Sequence, residues 1–195
     1  MRSARKKNGV KVKFEWQNPT DLLKCYSDSD WAGDVRTRRS TSGGAVFWGR
    51  HWLKHWSRAQ HAVSLSSGEA ELYSLTKCAS EALGIQHLLG DMGYTTHVRM
   101  HVDASATKGM VMKRGVGKAK HIEAQHLWVQ EKQRRGALDV TKIERNRNVA
   151  DLLTHHCVSR DLRHHLHGFG TAAVVSPCVR EDGRLDNTLP TRGGV

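Results

Sequence analysis

At 195 residues, 38% of them hydrophobic, the chain is long enough for one domain with a real core. Its 31 Lys and Arg against 19 Asp and Glu leave a net charge of +12, which points to a polyanionic partner, most simply nucleic acid. No apolar run reaches membrane-spanning length, so no membrane partner is expected. Four Cys without paired spacing argue against a disulfide framework or a zinc motif, and a reduced intracellular setting, cytoplasm or nucleus, is expected.

Residues 1–20 are polar and basic, and Val10-Lys11-Val12-Lys13-Phe14-Glu15-Trp16 alternates like a short edge strand. A first strand is expected over 22–28, ending in a turn at Ser29-Asp30-Trp31-Ala32-Gly33. After a basic loop (Arg36, Arg38, Arg39), residues 45–48 and 52–57 read as two further strands, a hairpin closed at Gly49-Arg50-His51. Ser66 then N-caps the longest helix, with Glu69 three residues on completing a capping box, and residues 90–93 end it. Leu75, Cys78, Ala82, Ile85 and Leu89 share one stripe of that helix; Glu71 falls on the same stripe, and Glu69 on the opposite side. Residues 98–102 alternate as a fourth strand, 104–114 and 121–135 read as helices around a Gly- and Lys-rich loop, and 138–143 is a fifth strand. Asn148 caps a short helix over 149–155. From residue 159 the periodicity decays, and the Gly- and Pro-containing end reads as a disordered tail. Hairpin strands followed by alternating helices and strands predict an α/β fold, a mixed sheet covered by helices.

An acid on the core-facing stripe of a helix is costly unless something positive meets it, and Glu71 is such an acid. Three more carboxylates hold comparable places: Asp28 at the end of the first strand, Asp103 at the end of the fourth, and Asp151 in the first turn of the last helix. Strand ends and helix N-termini are where sites assemble. Four acids converging there would repel one another, and hard divalent cations such as Mg²⁺ relieve that repulsion. Two such ions about 3.5–4 Å apart would activate a water and stabilise the leaving oxygen of a phosphodiester. Each acid also has a structural alternative. Asp28 could cap a turn, with Asp30 equally well placed; Asp103 could N-cap the helix after it; Asp151 stands at capping distance from Asn148.

Several blocks resemble the ribonuclease H domain of copia-type (Pseudoviridae) retrotransposon polyproteins. They are Tyr26-Ser27-Asp28-Ser29-Asp30-Trp31-Ala32-Gly33-Asp34, Arg39-Ser40-Thr41-Ser42-Gly43 and Leu65-Ser66-Ser67-Gly68-Glu69-Ala70-Glu71-Leu72-Tyr73. The likeness continues through Val102-Asp103-Ala104-Ser105-Ala106, Lys120-His121-Ile122-Glu123, Leu127-Trp128-Val129-Gln130-Glu131-Lys132 and Asn148-Val149-Ala150-Asp151-Leu152-Leu153-Thr154. The resemblance implies a ribonuclease H-like fold: a five-stranded mixed sheet, three antiparallel strands first, with helices on both faces. Residues 21–158 would form that domain, 1–20 a basic extension and 159–195 a basic tail. It implies endonucleolytic cleavage of the RNA strand of RNA–DNA hybrids with two Mg²⁺ (or Mn²⁺) ions held by Asp28, Glu71, Asp103 and Asp151. A reverse transcriptase domain in a parent polyprotein is the implied partner. Glu69 is the alternative to Glu71, disfavoured by its helix face. The loop Glu144-Arg145-Asn146-Arg147-Asn148 lacks the mobile His of cellular relatives, and Leu153-Thr154-His155 departs from the usual Leu-Thr-Lys. No reverse transcriptase, protease or integrase motif is present, so a fragment, remnant or captured domain of such an element is expected.

Lys113, Arg114, Lys118 and Lys120 form the densest basic run and are expected to grip phosphates of the hybrid. His51 and His55, and Cys157 with His164, His165 and His167, are weaker metal candidates, since a strand and a solvated tail explain them. The alternative reading is a catalytically inactive nucleic-acid-binding or scaffold remnant of the same domain. A DNA nuclease or integrase of this fold is disfavoured, because the likeness runs through the copia-type blocks and not only the acids.

Overall fold

A computed structural model describes residues 10–11, 14–112, 124–155 and 174–175. Its strands are β1 (Val10–Lys11), β2 (Leu22–Asp30), β3 (Thr41–Trp48), β4 (His51–Ala59), β5 (His97–Val102), β6 (Leu138–Lys142) and β7 (Val174–Val175). Its helices are α1 (Ser67–Asp91), α2 (Ser105–Met112) and α3 (Ala124–Arg134), followed by 3-10 turns at Arg145–Arg147 and Val149–Leu153. β2 to β6 form one mixed sheet in the order β4-β3-β2-β5-β6. β2, β3 and β4 are antiparallel, β5 runs parallel to β2, and β6 parallel to β5. This is the predicted five-stranded sheet, with its three antiparallel strands first in the chain.

The two-residue period of the strands decides what covers each face. Leu23 and Cys25 of β2, Val46 of β3, Met100 of β5 and Val140 of β6 lie under Leu72, Leu75 and Cys78 of α1, with Val111 of α2 and Val129 of α3 in the same cluster. Tyr26, Ala45 and Phe47 point the other way and meet Val149, Leu152 and Leu153 of the second 3-10 turn. Among the described residues, then, the α-helices cover one face and the 3-10 turn is on the other. Cys25 and Cys78 are buried free thiols.

Several boundaries differ from expectation. The ladder of β2 does not stop at Asp28: Ser29 pairs with Ser42 and Asp30 with Thr41, so the expected turn begins only at Trp31. Among the described residues of the alternating stretch at 10–16, Val10–Lys11 is strand and 14–16 are not, and the strand pairs with Val174–Val175 of the tail, outside the main sheet. The short helix expected over 149–155 is a 3-10 turn, Val149–Leu153, with Asn148 as its cap. A tighter turn suits so short a piece. It is also tethered, since buried Asn148 accepts the N–H of Ala150 at 3.2 Å and donates to the carbonyl oxygen of Ser27 at 3.0 Å.

That turn sits so close to the sheet that β3 needs glycine there. A Cβ on Gly43 would fall 2.7 Å from Thr154 Cγ2, 2.9 Å from Leu153 Cβ and 3.0 Å from the carbonyl oxygen of Ala150. At Gly44 it would overlap the Trp56 indole, 2.1 Å from Cζ2. Gly84, inside α1, has open space around it. Gly43→Ala is therefore expected to destabilise the fold by about 1–3 kcal/mol through overpacking. Gly84→Ala should stabilise it by about 0.5–1 kcal/mol. Urea unfolding of both variants beside the parent measures the contrast, and an equally tolerated Gly43→Ala would refute the close approach.

Candidate active site

The site forms where β2 passes between α1 on one face and the second 3-10 turn on the other. Asp28 is only 3% exposed and lies opposite Gly43 in the ladder. Asp30, the other candidate in that block, is already used. Its carboxylate accepts the N–H of Thr41 and closes the β2–β3 loop, which separates its role from that of Asp28.

α1 starts as its capping residues dictate, with Ser66 Oγ accepting the N–H of Glu69 at 3.2 Å. The reciprocal bond is displaced by one residue, because the Glu69 carboxylate takes the N–H of Leu65 at 2.8 Å. This folds Glu69 inward, so it is buried although it lies on the side of the helix opposite the hydrophobic stripe. Glu71, two residues on, is buried too but reaches β2. Its Oε1 accepts the N–H of Ser29 at 3.2 Å and the Ser29 hydroxyl at 3.1 Å, while Oε2 is buried without any hydrogen-bond partner. Ser74 draws the helix onto the sheet: its hydroxyl donates to the carbonyl oxygen of Asp28 at 2.7 Å, with that of Gly43 at 3.1 Å.

Asp103 follows the last residue of β5, and its carboxylate joins those of Asp28 and Glu71, with one oxygen of each lying within 4.8 Å of the others. From the opposite side the 3-10 turn brings Asp151, which groups with Asp28 and His155 within the same distance. Asp28 belongs to both groups. Thr154 donates its hydroxyl to the Asp28 carboxylate, and Arg145 stands 3.4 Å from Asp151 Oδ1 and 3.3 Å from the His155 ring. All four predicted acids are thus brought around β2. In the sequence Asn148, Thr154, Ser29 and His155 read as motif or cap residues only, and their contacts to the acids come from tertiary placement. Thr154 in the Ala-Asp-x-Leu-Thr block was the one visible signal.

Lys113, Arg114, Lys118 and Lys120 lie outside the described residues, as do Cys157, His164, His165 and His167. His51 and His55 are in β4, where His51 Nε2 contacts the carbonyl oxygen of Glu15 at 2.6 Å and His55 packs on Trp52; among the described residues neither joins a ligand group.

Burial and crowding set the electrostatics. Loss of water pushes Glu71 from its ordinary 4.5 up to about 8, helped by the charges of Asp28 and Asp103 and opposed by the Ser29 hydrogen bonds. Asp28 is raised as well, by burial first, with the Thr154 hydroxyl pulling it down and Asp103 and Asp151 adding repulsion. Clustered hard oxygen ligands with one orphaned, buried carboxylate oxygen fit a divalent cation.

No family model matches the chain. Over 145 residues it is 30% identical to the retrovirus-related Pol polyprotein from transposon TNT 1-94 of Nicotiana tabacum, covering 68% of this chain and 10% of that one. Over 135 residues it is 33% identical to the corresponding polyprotein from transposon RE1 of Arabidopsis thaliana, covering 68% and 9%. The chain thus spans about a tenth of the length of these relatives. Among solved structures it is similar to LC11-RNase H1, isolated from compost, with a TM-score of 0.56 at 15% identity over 73% of this chain and 99% of that one. At such identity the likeness is one of fold. The chain is a ribonuclease H-fold domain related to the retrovirus-related Pol polyproteins of copia-type transposons.

Proposed function

We propose that this domain is a metal-dependent endonuclease that hydrolyses the RNA strand of RNA–DNA hybrids. The observation that carries the reading is the convergence of Asp28, Glu71 and Asp103 on one point, with Glu71 Oε2 buried and unpartnered. Polyprotein relatives and a ribonuclease H fold support the hybrid as substrate. In a polyprotein the working partner would be a reverse transcriptase domain, whose product is such a hybrid.

In this reading Asp28, Glu71 and Asp103 would hold one divalent cation, and Asp28, Asp151 and His155 at the rim would hold a second. Divalent ions held there would supply a nucleophile at neutral pH and charge stabilisation for an in-line displacement. The remaining residues hold the ligands in place. Ser29 aims Glu71 by occupying its Oε1 and leaving Oε2 free. Thr154 orients Asp28, and Asn148 ties the turn that carries Asp151 to the strand that carries Asp28.

Cleavage of a labelled RNA–DNA hybrid with Mg²⁺ tests the proposal. The parent should cut the RNA strand. Asp103→Asn and Glu71→Gln should each lose activity by more than the roughly 10–100-fold that removal of an outer-shell partner costs. Glu69→Gln, whose amide oxygen still accepts the N–H of Leu65, should stay within a few-fold of the parent. Hybrid binding without cleavage by the parent assigns the domain to non-catalytic nucleic-acid binding instead.

A second prediction follows from the raised acids. In the absence of divalent ions the folded chain holds a proton on Glu71 that the unfolded chain gives up at a lower pH. That contribution to stability is complete below about pH 4.5 and is lost as the pH rises through about 8. Melting temperature in EDTA should therefore fall across this interval, Mg²⁺ should restore it at the alkaline end, and Glu71→Gln should flatten the slope. A parent whose EDTA melting curve does not move between those pH values would contradict the buried, crowded state of Glu71.

A further inference from the structure

The loop joining β2 to β3 carries three exposed arginines, Arg36, Arg38 and Arg39, and it is built rather than loose. Trp31 leaves β2 with 53% of its surface exposed, yet its indole N–H donates to the carbonyl oxygen of Ser64 at 3.0 Å. One edge of the ring is fixed by that bond while much of the side chain stays in solvent. Beyond it the chain is clasped to itself. The Asp34 carboxylate accepts the N–H groups of Arg36 and Thr37 at 2.9 and 3.0 Å, and its backbone exchanges hydrogen bonds with Arg38 and Arg39. Ala32 N–H donates to Ser40 Oγ at 3.0 Å, and Asp30 receives Thr41 N–H at the neck. Ala32 and Arg38 adopt positive φ of 54° and 57°, which non-glycine residues enter only against a steric penalty.

This clasped loop presents Arg36, Arg38 and Arg39, all exposed, and none forms an ion pair with a carboxylate among the described residues. Arg58 of β4, exposed and opposite Ser42 in the ladder, adds a fourth cation next to its base. The neck pair Asp30–Thr41 stands two residues beyond Asp28, about 7 Å along the strand. Exposed guanidiniums grouped on a hydrogen-bonded support, with an aromatic side chain beside them, suit phosphates and sugars of a nucleic acid.

We infer that the 31–39 loop is the docking surface that seats the RNA–DNA hybrid on the carboxylates, with Arg36, Arg38 and Arg39 on the phosphates of one strand and the exposed Trp31 indole packed on a neighbouring sugar or base. This rests on the proposal that the acids act on a hybrid. It assigns the grip to residues other than the 113–120 run singled out from the sequence. Phosphate contacts made this way position the duplex without reading its sequence.

The test is equilibrium binding of a fluorescein-labelled hybrid to the full chain carrying Asp103→Asn, in EDTA, over a salt titration. Adding Arg36→Gln, Arg38→Asn and Arg39→Gln should weaken binding and flatten the slope of log K against log salt by about two to three, close to one per phosphate contact. Asn is chosen at 38 because it tolerates positive φ. Trp31→Ala should weaken binding roughly tenfold with the slope unchanged, and Trp31→Tyr should recover most of the loss. Melting curves accompany each variant, so that a loop that fails to fold is recognised and the Trp31→Tyr result then decides the indole's part. An unchanged slope in the triple variant, or no salt-dependent binding at all, overturns the inference. Because binding is read without divalent ions in a cleavage-silent background, a parent that binds through these arginines but does not cut refutes the nuclease proposal alone. A parent that cuts while the triple variant keeps its slope refutes the docking surface alone.

Discussion

Holding like charges together out of water is the constraint on which this structure depends. Asp28, Glu71 and Asp103 place carboxylate oxygens within 4.8 Å of one another, and two of the three side chains are buried. Neither burial nor repulsion favours that arrangement, so the scaffold must resist its relaxation. It does so by fixing each acid through more than its own backbone. Glu71 is held by both hydrogen-bonding groups of Ser29, Asp28 by the Thr154 hydroxyl, and the backbone around Asp28 by Ser74 and Asn148. Helix, strand and turn are cross-linked at the point where their acids would otherwise push them apart.

The same constraint explains why β3 carries two glycines in its interior, where glycine ordinarily weakens a strand. Gly43 lets the turn bearing Asp151 lie directly against the ladder opposite Asp28, and Gly44 gives its place to the Trp56 indole of the next strand. Side chains at these positions would lift the turn or the indole away. Close approach has been bought with backbone entropy, and Gln60 stiffens the neighbourhood by bridging Ser42, Ser64 and the carbonyl oxygen of Ala70.

Much of this was legible because local signals and long-range needs agree. The capping residues at Ser66 and Glu69 mark the start of α1, the two-residue alternation marks β5 and β6, and an acid on the buried stripe of α1 marks Glu71. What escaped were features decided by tertiary contact. Ser29 and Asp30 look like a turn in isolation, but pairing with Ser42 and Thr41 carries β2 through them. Glu69 sits on the side of the helix opposite the hydrophobic stripe, yet the uncapped N–H of Leu65 pulls it inward. Residues 149–153 have helical composition, but Asn148, anchored to Ser27, leaves room only for a tighter turn. His155 reads as a departure from a motif, and only the turn's geometry places it 3.8 Å from Asp151.

The two halves of the site differ in a way that orders their response to a cation. Glu71 and Asp28 are almost without solvent, and their proton affinity is raised by that burial first and by the neighbouring carboxylates second. Asp151 is half-buried and already has Arg145 and His155 nearby, both on exposed side chains. An ion pair at that exposure is worth about 0–1 kcal/mol and is screened by salt, so Arg145 offers little resistance to a divalent ion. On the proposed two-ion reading the dry half would gain more from a cation, because there an ion would replace a proton and cancel repulsion at low effective dielectric. Affinity would then be set by the Asp28–Glu71–Asp103 side, and the Asp151 side, softer and open to solvent, would be where exchange is easiest. Asp28, common to both groups, would make the occupancy of one side felt at the other.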